Sequence, residues 1–244
     1  FVLHNKNKYP VRQAGIKDFF DILTTRASWP VRSSSTSSHS RFGLDETPDR
    51  RVTFYGENNV LLDILVNAAM GREVFLRQYG QNEVRSGENR IVSFITSSAD
   101  NWFNLRLIPE SESGKIDAGS VQRFSVYDKD ESLIFSRRNR GWIVSSGETV
   151  IEDINSTGIE NYLQTILNSQ GDSFVDSVFS DDPAFNYSRI ILELGTGKII
   201  TIRFTAPYEN NYRLAHVSDS GYIYSIPMWV SNQVFRSLSS FERQ

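Results

Sequence analysis

Residues able to do chemistry are scattered, and each group fails a requirement of the site it resembles. Leu194-Gly195-Thr196-Gly197-Lys198 has the look of a phosphate loop. That loop needs an earlier glycine, a Ser or Thr after the lysine and a helix to follow. Here the earlier glycine is missing, Ile199 follows Lys198, and the next residues read as a strand, so a hairpin turn is expected. Asp128-Lys129-Asp130-Glu131 suggests calcium, but no twelve-residue ligand loop with a central glycine follows. It reads as a solvated turn, as does Asp181-Asp182-Pro183. The histidines are His4, His39 and His216, with no HExxH and no pair at helical spacing. No GxSxG elbow is present. Paired carboxylates for glycoside hydrolysis meet only in three dimensions, and 29 acidic residues do not single out a pair. Catalytic, metal and cofactor residues are therefore expected to be none, and the protein is read as not an enzyme. Surface contacts are the remaining candidates. Trp29, Trp102 and Trp229 could meet a glycan or peptide. Arg137-Arg138-Asn139-Arg140 is the densest basic run; it reads first as a solvated turn and second, through Arg138 and Arg140, as a contact for anionic headgroups.

Composition narrows the class further. The chain has 244 residues, 39% hydrophobic and 23% charged, which is ordinary for globular domains and enough for two small ones. Sixteen Phe, ten Tyr and four Trp supply core material. The net charge of −3, with dispersed Lys and Arg, carries no nucleic-acid footprint. The lack of cysteine excludes disulfides, thiol nucleophiles and zinc–thiolate sites. No run reaches the roughly 20 apolar residues that span a bilayer.

The elements that would position any site recur. Arg51–Val66 and Ile190–Phe204 each alternate apolar residues at period two around a Gly- and Asn- or Thr-bearing turn, the pattern of a half-buried hairpin. At one constant offset Val52 falls on Leu192, Phe54 on Leu194, Val60 on Ile200, Leu62 on Ile202 and Ile64 on Phe204. Upstream, Ile16, Phe19, Phe20 and Leu23 mark one face of a helix and meet Ile159, Tyr162, Leu163 and Ile166. Thr157 to Glu160 has the capping-box pattern. Tyr9-Pro10-Val11 matches Trp142-Ile143-Val144, with both aromatics expected in the core. Downstream, Val74 and Leu76 match Tyr212 and Leu214, a third strand. Ile91, Ser93 and Phe94 match Ile223, Ser225 and Ile226, a fourth. Helix-like segments close each copy, at Asn101–Leu107 and Trp229–Phe241. The second copy opens with a further hairpin, Val121–Tyr127 and Leu133–Ser136. Phe1–Asn5 reads as the end of the same hairpin in the first copy, whose partner strand is expected upstream.

The expected fold class is α+β: two tandem repeats, each an antiparallel β-sheet with a helix packed on one face. Residues 1–108 form repeat 1, 109–119 a polar linker and 120–244 repeat 2. Ser33–Ser40, low in complexity, reads as a mobile loop.

Several short motifs resemble a known family. Arg41-Phe42-Gly43-Leu44-Asp45-Glu46-Thr47-Pro48 is similar to the YGLD-x-P signature of the bacterial domain of unknown function family 4340. Leu62–Val66 through Asn67–Arg72, continuing into Val74–Arg77, resembles that family's Gly-punctuated run ending in y-v-r. Gly141-Trp142 resembles its gW-x-l element. The resemblance implies a secreted or membrane-anchored domain with an N-terminal transmembrane helix, associated with ABC-type transporters resembling those of gliding-motility systems. It carries no activity and no catalytic residue. The expected function is a non-enzymatic extracytoplasmic binding or scaffold module, accessory to a membrane transporter complex, with transporter subunits as partners and a missing N-terminal anchor. The alternatives are a stand-alone surface glycan- or peptide-binding domain and, third, a glycoside hydrolase.

Overall fold

In the computed structural model the described residues are 9–25, 29–48, 50–67, 73–88, 92, 94–95, 102–108, 116–129, 131–139, 141–151, 154–208 and 211–241. They form two antiparallel sheets with a few helices. The chain divides into two compact units between Asn104 and Leu105, ahead of the 109–119 linker read from the sequence. Among the described residues no helix is long and apolar enough to cross a membrane.

The first unit contains α1 (Gln13–Thr24), β1 (Val31–Ser33), β2 (Arg50–Tyr55), β3 (Val60–Asn67), β4 (Glu73–Gln78) and β5 (Val84–Glu88). Its sheet order is β1-β5-β4-β3-β2. The period-two pattern works as expected: Ile64, Val66 and Val74 turn to the face that α1 covers with Phe19. Leu65, Phe75 and Val84 turn to the opposite face, where Leu44 closes a second small cluster. Leu44 follows the serine-rich Ser33–Ser40 segment, which is built largely of turns. Residues 36–38 and 40–42 form 3-10 turns. Ser38 Oγ donates to Ser33 Oγ at 2.7 Å, and the Leu44 amide to the His39 carbonyl at 2.9 Å. Serine hydroxyls here substitute for regular backbone pairing.

The second unit contains β6 (Val121–Asp128), β7 (Glu131–Arg138), β8 (Gly141–Ser146), β9 (Thr149–Ile151), α2 (Ser156–Leu167), β10 (Ser173–Phe174), β11 (Ser188–Leu194), β12 (Ile199–Phe204), β13 (Tyr212–Val217), β14 (Ile223–Pro227) and α3 (Met228–Val234). The sheet order is β10-β14-β13-β12-β11-β6-β7-β8-β9. Its main core is a large cluster in which Phe124 stacks on Phe135 at 4.2 Å, beneath Tyr162 of α2, and a smaller cluster of Phe185, Leu214 and Ile223 lies apart from it. Both expected turns are hairpins. Asp128 faces Glu131, and Gly197, at φ +85, closes the β11–β12 turn with its amide on the Leu194 carbonyl.

Several expected elements differ. The cap of α2 is Asn155, whose Oδ1 accepts from the Gly158 amide at 3.0 Å; Thr157 lies inside the helix. Glu160 instead reaches the sheet, accepting from Trp142 Nε1 at 2.8 Å. In the described part of Asn101–Leu107 only Trp102 is helical, in a 3-10 turn; beyond it Val11 pairs with Phe103, and Arg106 with Gln170. Phe103, Leu105 and Leu107 alternate at period two, a strand signal that the neighbouring Trp102 and Ile108 obscured. The strand after β4 is β5 (Val84–Glu88) and not Ile91–Phe94: Phe94 lies in a turn, and Ile91 and Ser93 lie outside the described residues, as do Phe1–Asn5 and His4. Trp229–Phe241 breaks after Val234, where Phe235 turns extended and packs edge-on against Phe204 at 5.0 Å; a 3-10 turn follows at 238–240. On α1, Phe20 is not part of the buried stripe but is 47% exposed. Tyr9 and Trp142 are buried as expected.

Candidate functional site

Each unit has a concavity beside its first long helix, and the two differ in chemistry. In the first unit, Ile22 and Leu23 of α1 look across Trp29 to Leu62, Ile64 and Leu76 on the sheet, leaving a space of about 480 Å³. Gln78, Gln81, Glu83 and Arg85 form its polar end. Arg85 donates to the Trp29 carbonyl at 3.1 Å and pairs with Glu83, so the charged end is internally compensated. The Trp29 ring lies against Gly87 of β5 so closely that a Cβ there would stand 2.0 Å from the ring. Glycine at this position makes the slot that holds the indole.

In the second unit the space is an open groove of about 630 Å³ along α2 and α3. Asn161, Gln164 and Thr165 of α2 and its C-cap Asn168 follow one another at helical spacing, opposite Trp229 and Gln233 on α3. Gln170 and Asp172 contribute from the segment leading into β10. Trp229 is 66% exposed, while Tyr162, one helical face away, is sealed in the core with its hydroxyl donating to the Val234 carbonyl. Burial pushes the Tyr162 phenol up and that of Tyr224 to about 12, so both are hydrogen-bonding groups and not acids.

Of the candidate contact residues, Trp29 and Trp229 line these two spaces. Trp102 does not join them: it is half-buried against Phe19 at 5.3 Å and Phe94 at 5.9 Å. The basic run is only partly solvated. Arg137 lies 4.5 Å over the Trp142 ring, pairs with Glu160 at 2.9 Å and donates to the carbonyls of Ala118 and Val121. It holds the sheet to α2. Arg138 ends β7 in an exposed position, and Arg140 lies outside the described residues.

The turn acids also have structural partners. Asp128 accepts from Ser188 Oγ at 2.6 Å, beside the buried Arg213, and Asp182 caps a 3-10 turn through the Ala184 amide. Lys198 pairs with Asp219 at 2.9 Å. His39 meets the Asn82 carbonyl, and His216 Nδ1 accepts from Arg203 at 3.0 Å, since a guanidinium can only donate. Burial first, and the Arg203 charge second, hold the His216 pKa below its ordinary value. Among the described residues no group of three or more His, Cys, Asp or Glu could hold a metal ion. Sequence reading found the tryptophans but not the amides beside Trp229, because Asn and Gln on a helix read as an ordinary solvated face.

No curated protein and no solved structure matches the chain. The profile of "Domain of unknown function (DUF4340)" matches residues 2–186, which takes in the first unit from its second residue and the second unit as far as the turn before β11. Most of the chain falls within that match, and the protein belongs to the DUF4340 family.

Proposed function

We propose that this protein is a non-enzymatic extracytoplasmic binding module, built from two related helix-and-sheet units and serving as an accessory to an ABC-type membrane transporter complex. The observation that carries the binding role is the pair of concavities, each beside the helix of its unit and each with a tryptophan in its wall. Spaces of this size are ordinary for ligand sites. The transporter association rests on the family resemblance.

The relation between the units is supported by their connectivity. Helix, short strand and four-strand meander follow in the same order, and β1-β5-β4-β3-β2 repeats as β10-β14-β13-β12-β11. The ladders favour a correspondence two residues from the constant-offset hairpin alignment. Arg50–Val66, Val52–Ile64 and Phe54–Leu62 occupy the places of Ser188–Phe204, Ile190–Ile202 and Leu192–Ile200. Leu62 thus stands with Ile200, not Ile202. In the third strand Phe75 stands with Leu214 and Leu76 with Ala215. With this register the small back-face clusters also coincide: Leu44, Phe75 and Val84 in one unit, Phe185, Leu214 and Ile223 in the other. A period-two pattern looks the same after a slip of two, so the sequence could not choose between the registers.

Affinity purification of the tagged full-length protein from its native membranes tests the proposal. Transporter subunits are expected in the eluate; recovery of the protein alone, in gentle detergent, refutes the accessory role. A second reading, a glycan-binding domain acting by itself at the surface, is favoured by the amide-lined groove.

A further inference from the structure

We infer that the groove between α2 and α3 is a binding site for a neutral saccharide. The inference rests on the binding-module reading but not on the transporter association.

The lining selects the ligand class. Asn161, Gln164, Gln170 and Gln233 line the groove together with Asp172, and among the described residues no Lys or Arg lines it. Every amide both donates and accepts, which suits vicinal hydroxyls that do the same. A phosphorylated or carboxylated ligand would instead call for cationic forks. An apolar ligand would call for walls like those of the space beside α1. Trp229 adds an exposed aromatic face at the rim, an apolar platform with a polar edge suited to the C–H face of a sugar ring.

The polar groups are uncommitted where a ligand would need them. The side chains of Asn161, Gln170, Gln233 and Trp229 make no hydrogen bond to the described residues. Asn168 is held by two contacts: Arg106 donates to its Oδ1 at 3.0 Å, and its amide nitrogen donates to Gln164 Oε1 at 3.5 Å. This partial pre-organisation lowers the ordering cost of binding. The floor is firm, because Val230 and Ser169 are buried beneath it. The groove is open at the surface and has room for a short oligosaccharide.

The test is isothermal calorimetry of the purified chain against a panel of neutral oligosaccharides: β-glucans, α-glucans, chitooligosaccharides and mannans, with sialylated and phosphorylated sugars alongside. At least one neutral member is expected to bind. Trp229→Ala should weaken it about tenfold or more, as loss of an aromatic anchor does. Gln233→Ala should weaken it severalfold, and Tyr55→Ala, at an exposed aromatic outside both concavities, should leave it unchanged. Trp229 and Gln233 are exposed, so both variants should keep the wild-type melting temperature, which is checked in parallel. Binding by no neutral member, binding restricted to the anionic sugars, or affinity indifferent to Trp229→Ala overturns the inference. Co-purification of transporter subunits is scored separately. Intact co-purification without sugar binding removes this site and leaves the accessory role; sugar binding without co-purification does the reverse.

Discussion

α1 and α2 carry similar apolar spacing but are covered differently. On α2, Ile159, Tyr162, Leu163, Ile166 and Leu167 are all buried. On α1 only Gly15 and Phe19 are. The difference comes from what lies beyond the sheet. α2 is gripped from a second side, through Val234 and Phe241, so even its flanking positions are enclosed. α1 meets its sheet mainly through Phe19 and leaves Ile22 and Leu23 half-exposed over an apolar gap. One helical pattern thus yields a sealed core with a polar groove outside it in one unit, and an open apolar pocket in the other. A stripe on a helix records which face turns inward; it does not record how many neighbours arrive.

The largest expected effect tests that contrast at one position on each helix. Leu163 is fully buried and Phe20 is 47% exposed. Leu163→Ala should cost about 2–5 kcal/mol in urea unfolding, through lost burial and a residual cavity. Phe20→Ala should cost under about 1 kcal/mol, as exposed sites do. Equal losses would break the comparison.

A smaller effect is expected at the pocket wall. Gly87→Ala puts a methyl group into the Trp29 ring, so the indole must leave its slot. Overpacking of this kind costs about 1–3 kcal/mol, and Trp29 fluorescence should shift to the red as the ring enters water. Unchanged emission and stability would mean that the slot does not hold the ring.

The smallest effect separates the units by pH. Arg77 faces Val84 in the first sheet, and His216 faces Ile223 in the second. Arg77 is a permanent cation that donates to the Leu44 carbonyl at 2.9 Å. His216 is held neutral by burial and by Arg203, with a folded pKa below 6.5. The unfolded chain therefore binds the extra proton first. The contribution of neutral His216 is complete above 6.5 and is lost as the pH falls through that value toward the folded one. Urea unfolding between pH 7.5 and 5 should show a decline in the wild type that His216→Gln reduces. A variant with the wild-type slope would assign the acid sensitivity elsewhere.

Much of the architecture was legible in the chain. Alternation located the β2–β3, β11–β12 and β6–β7 hairpins, helical spacing located α1 and α2, and turn chemistry explained the Gly- and Asp-rich segments without invoking phosphate or calcium. The short strands β1 and β10 were not legible, because two or three residues carry no period. β5 was hidden because Val84 is the only large apolar residue among its five. Arg137 read as surface, yet its partners Trp142 and Glu160 are close only in the folded state. The site divides the same way. Trp29 and Trp229 stood out by residue type, while the amides of the groove had no sequence signal to separate them from a wet helix face.

By itself the sequence determined the alternation of strands, the helix faces and the exclusion of thiol and zinc–thiolate chemistry, since these depend on residue type and near-neighbour spacing. Tertiary structure alone decided the register of the ladders, the enclosure of α2 and the exposure of α1, and the meeting of Trp229 with amides from three segments. Those outcomes depend on which surfaces a distant part of the chain covers, and a period of two or 3.6 residues is blind to that.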